Sequence, residues 1–64
     1  MYEEKLIRQI TAKTGAIKRG SISPAEAGAG TLLNRLKDIN FPMYEELMNN
    51  YKAAVELYNK TFAK

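Results

Sequence analysis

The chain has 64 residues, a formal net charge of +3, and neither cysteine nor histidine. At this length it makes one domain, 1–64, which buries only about 60% of its unfolded surface. Disulfides and thiolate or imidazole metal sites are excluded, and no side chain is suited to serve as the base of a nucleophilic centre. No cofactor, metal ion or small-molecule substrate is therefore expected.

Small folds of this kind need very regular helix packing, self-association or an outside partner to supply the missing burial. No apolar run approaches the ~20 residues of a membrane span. The start, Met1-Tyr2-Glu3-Glu4-Lys5, is charged and lacks the apolar region of a signal peptide. A cytoplasmic protein without a membrane partner is expected. The charge excess is local. Residues 1–20 carry Lys5, Arg8, Lys13, Lys18 and Arg19 against Glu3 and Glu4, and the remainder is balanced.

The first predicted helix covers about 2–18. Tyr2, Leu6, Ile7, Ile10, Thr14 and Ile17 recur at helical spacing on one face. Glu3 and Glu4 occupy the first turn, where the helix dipole favours anions. Gly15 weakens the helix late in its course, leaving its end between Gly15 and Arg19. Gly20 supplies a C-terminal stop.

The second predicted helix covers about 24–39 and opens within Ser23-Pro24-Ala25-Glu26-Ala27-Gly28-Ala29-Gly30. Ser23 suits the N-cap, Pro24 the first helical position and Glu26 the third, which completes a capping box. A helix running on from there places Ala25, Gly28, Ala29, Leu32, Leu33, Leu36 and Ile39 on one face. Gly28 would then meet a neighbouring helix at close range, with Gly30 exposed. The competing reading, a phosphate-cradling loop, lacks the lysine of a Walker loop and the strand of a dinucleotide fold. Asn40-Phe41-Pro42 ends this helix, since the residue before proline avoids the α region.

The third predicted helix covers about 43–62. Tyr44, Leu47, Met48, Tyr51, Ala54, Val55, Tyr58 and Phe62 form its apolar stripe, with the tyrosines seven apart. Its length of ~30 Å lets its second half protrude from a compact bundle. The fold expected is all-α, a small three-helix bundle or a helical hairpin with a long C-terminal helix.

Function is bounded more than it is indicated. Glu3-Glu4 and Glu45-Glu46 are adjacent pairs, diverging by about 100° on a helix, and do not flank a substrate as an acid–base pair. An enzyme is not expected. The apolar and tyrosine face of the third helix is read either as core or as a partner surface of Tyr44, Leu47, Met48, Tyr51, Val55, Leu57, Tyr58 and Phe62. A protein partner or a homo-oligomer such as a dimer is the leading expectation, with the chain acting as a regulator or inhibitor of a larger protein. Lysine outnumbers arginine by 7 to 3, a bias shared with small proteins of bacterial phages and mobile elements. The alternative is a nucleic-acid-binding accessory protein using Lys5, Arg8, Lys13, Lys18 and Arg19. Single-strand binding would also call for exposed aromatics.

Overall fold

The first predicted helix forms as read. A computed structural model describes residues 2–62, and in it α1 spans Tyr2–Lys18 and passes through Gly15 without a break. Leu6, Ile10, Thr14 and Ile17 are its buried residues. Thr14 is the only polar member, and its Oγ1 donates to the Ile10 carbonyl four residues back at 2.8 Å. That bond lets a hydroxyl sit in the core at little cost. Lys18 is followed by a Schellman turn, in which Gly20 N–H donates to Ile17 O at 3.0 Å and Ser21 N–H to Ala16 O at 2.9 Å. The turn needs a left-handed residue, and Gly20 supplies it at φ +76°.

The second predicted helix is two helices, α2 (Pro24–Ala27) and α3 (Ala29–Ile39). The capping box is present: Ser23 Oγ accepts from Glu26 N–H at 3.2 Å, and Glu26 Oε1 accepts from Ser23 N–H at 3.3 Å. The correction concerns Gly28. It is exposed, adopts φ +62° and has open space where a Cβ would stand. It is therefore a backbone joint, the C-cap of α2 and N-cap of α3. It makes no close approach to a neighbouring helix. Ala25 is likewise exposed. The packing residues are Ala27 and Ala29, 3% and 0% exposed. Two residues apart on an unbroken helix they would point about 200° away from each other. Only the break lets both face inward.

One residue joins α3 to α4 (Phe41–Thr61). The turn falls at Asn40, at φ −150° and ψ 88°, and Phe41 and Pro42 already belong to α4, slightly ahead of the expected start. Asn40 closes α3 through its N–H to Leu36 O at 2.8 Å. It opens α4 by accepting from Met43 N–H on Oδ1 at 3.2 Å. Pro42, in the first turn of α4, lacks an N–H that the helix would not have used.

Cross-helix contacts give the directions. Asn40 Nδ2 donates to Glu3 Oε2 at 3.2 Å, so α1 and α4 start together. Gly20 meets the Phe62 ring, so they also finish together, in parallel, with α2 and α3 running back between them. This is a small all-α three-helix bundle whose middle rod is jointed. The molecule measures 36 × 17 × 14 Å. At ~1.5 Å per residue α4 is about as long as the whole molecule, and the end of α1 accompanies it to Phe62. The expected protruding half is absent.

The core has two parts. Ile10, Ala29, Leu33, Leu36 and Leu47 form one, flanked by Ile7, Leu32, Met43, Tyr44, Met48 and Tyr51. Ile17, Ala27 and Ala54 form the other, flanked by Ile22, Tyr51 and Tyr58.

Candidate functional surfaces

The expected partner face of α4 divides into three groups. Leu47 is 8% exposed and belongs to the core. It is unavailable to a partner. Tyr44, Met48, Tyr51 and Tyr58 are half-buried and line the two core parts with their rings or side-chain stems. Val55 is half-buried at the rim, in an open groove with Tyr51, Lys52, Glu56 and Asn59. Phe62 is half-exposed, its ring 5.5 Å from that of Tyr58. Leu57 is 45% exposed. It lies two residues from Val55, about 200° around the helix, and so belongs to the opposite side.

A residue outside the expected set completes a row. Phe41 is 49% exposed, with its ring 5.6 Å from Tyr44. Phe41, Met48, Val55 and Phe62 follow one another at intervals of seven, and none is buried. Together with Tyr44, Tyr51 and Tyr58 they alternate in steps of three and four, the apolar pattern of a coiled-coil seam. The tyrosine row turns inward. In the other row Met48 also touches the wide core part and Phe62 lies against Gly20, while Phe41 and Val55 stand at the outer edge. The spacing of Phe41 was present in the sequence, but Pro42 made residue 41 look like a break.

The basic residues also separate. Lys5, Arg8, Lys18 and Arg19 are exposed, and Lys13 is half-buried. Lys18 lines the crevice between α1 and α4, with Thr11, Thr14, Gly15, Leu47 and Asn50. Arg8 shares a shallow depression with Glu4, Ile7, Thr11 and Ala12. The Arg19 guanidinium folds back over Gly15, 3.4 Å from where a Cβ would stand. Lys13 lines a third surface, the groove between α1 and α3, which it shares with Arg35. The five expected cations thus do not form one patch, and the fold adds Arg35 to Lys13. On the far side of α3, Lys37 Nζ stands 5.8 Å from the centre of the Tyr44 ring, a cation–π contact that helps hold α3 to α4.

No described helix is long and apolar enough to cross a membrane. No family model, curated protein or solved structure matches the chain.

Proposed function

We propose that this protein is a small non-enzymatic interaction module that seats a helix of a partner protein along the outer edge of α4. The observation supporting this reading is the row Phe41, Met48, Val55 and Phe62: four apolar side chains, seven apart, none buried. Apolar residues at that interval keep facing a neighbouring helix along its whole length. A 64-residue bundle also gains from burial that a partner provides. The partner is a second copy or a larger protein that the module regulates or inhibits by covering part of its surface.

Sedimentation over a wide concentration range tests self-association, with Val55→Lys as the disrupting variant. Replacing Val55 with a photo-crosslinking amino acid, against the same replacement at Asn49 on the outer face, tests any protein partner. Adducts from position 55 and not from 49 are expected. Equal labelling from both, or none with a monomer at every concentration, would sink the proposal.

A further inference from the structure

A different surface points to a different ligand. The groove between α1 and α3 has a volume of about 630 Å³ and is walled by Gln9 and Lys13 on one side and Thr31 and Arg35 on the other. Among the described residues no carboxylate lines it. Lys5, Gln9 and Lys13 follow at intervals of four and form one ridge of α1. At the open end stands Tyr2, 53% exposed. Arg35 Nη1 donates to its Oη at 3.2 Å. This ties an aromatic ring of the first helix to a guanidinium of the third. Tyr2 is an exposed ring beside a groove that carries Lys13 and Arg35, unlike the half-buried tyrosines of α4.

We infer that this groove binds a single-stranded nucleic acid, with Lys5, Lys13 and Arg35 on phosphates and the Tyr2 ring stacked on a base. Charge complementarity selects a phosphodiester chain: Lys13 and Arg35 face each other from two helices across a lining that holds no acid among the described residues, and Lys5 continues the α1 ridge beyond it. The exposed ring selects a single strand, whose bases are free to stack, over a duplex, whose bases are not. Gln9 and Thr31 add neutral hydrogen-bonding groups between the cations. From Tyr2 to Lys13 the α1 wall is ~16 Å long, enough for a few nucleotides. This inference does not depend on the α4 edge, which lies on another face.

Fluorescence anisotropy with a labelled oligothymidylate of about 12 nucleotides, within the usual range of single-strand sites, tests it. Three phosphate contacts predict a log–log salt slope near −2 and about a 20-fold loss of affinity between about 50 and 200 mM salt. Lys13→Ala and Arg35→Ala should each reduce the slope by about 0.7. Tyr2→Ala should weaken binding about 5- to 150-fold with the slope unchanged, and Tyr2→Phe should bind like the wild type. Lys18→Ala and Lys60→Ala, on other faces, are the controls, and circular dichroism verifies that each variant is folded. The inference is overturned by absence of binding at about 50 mM salt, by tighter binding of duplex, or by control variants that weaken binding as much as Lys13→Ala does.

Discussion

The two ends of the bundle are held together differently. Where α1, α3 and α4 run side by side, four large aliphatic residues, Ile10, Leu33, Leu36 and Leu47, meet around Ala29. At the other end the middle rod has shrunk to the single turn of α2. There Ile17 is the only large buried aliphatic of its cluster, with Ala27 and Ala54 beside it. Small residues let the backbones approach where no third long helix fills the space. Tyr51 and Tyr58 cover the gap with their rings, and Tyr51 belongs to both parts. The difference shows that the thickness of the core follows the length of α3, which Gly28 sets by starting that helix late.

The largest expected effect lies at the wide end. Leu33→Ala, at a fully buried position, should cost about 2–5 kcal/mol. For a chain of this size, with a stability of roughly 3–10 kcal/mol, that removes much of the folded population. Ile17→Ala should fall at the low end of the same range, because the narrow end collapses more easily around a cavity. Urea denaturation followed by circular dichroism measures both, and equal losses would abolish the distinction between the two ends.

Gly20 and Gly28 provide the next comparison, since both are left-handed but their surroundings differ. A Cβ on Gly20 would lie 2.6 Å from Phe62 Cζ, whereas one on Gly28 meets nothing within 4 Å. Gly28→Ala should cost about 1–2 kcal/mol from backbone strain alone. Gly20→Ala adds displacement of the Phe62 ring and should cost more. The excess should disappear in a Phe62→Ala background, where the Gly20 and Gly28 variants would cost the same. An excess that persists there would place the cost in the turn itself.

The smallest effects concern the joint and its neighbour. Ser23→Ala removes the Oγ half of the capping box, leaving the Ser23 N–H bond to Glu26 Oε1, and should cost about 1 kcal/mol. Gly30→Ala, in the first turn of α3 with free space around it, should stabilise by about 0.4–1 kcal/mol. Thermal unfolding resolves the two signs. Destabilisation by Gly30→Ala would mean that the first turn of α3 is not helical in solution.

Much of this was legible in the sequence because local chemistry settled it. The apolar spacing of α1, the capping box at Ser23, the stop at Gly20 and the tyrosine repeat of α4 each involve residues within one or two turns of each other. The Gly28 break was not legible, because Ala-Gly-Ala-Gly satisfies a continuous helix and a jointed one equally. Inward packing of both Ala27 and Ala29 selects the second, and that packing exists only once α1 and α4 are in place. The candidate surfaces were less legible still. Leu47 and Leu57 are similar residues on the same helix, yet one is buried and the other faces away from Val55. Tyr2 pairs with Arg35 across 33 positions of sequence, a distance over which no periodicity in one helix carries information.

Composition, periodicity and capping thus determined that this chain is helical, where most of its helices begin, and which faces of α1 and α4 carry their apolar residues. Those properties depend on neighbours three or four residues away, which the sequence places directly. Tertiary packing alone decided that the middle rod bends at Gly28, that α4 lies along α1 without protruding, and that Lys13 and Arg35 share one groove while Lys18 lies in another. Each of these depends on which helices lie alongside one another, and that is settled by burying two unequal core parts at once.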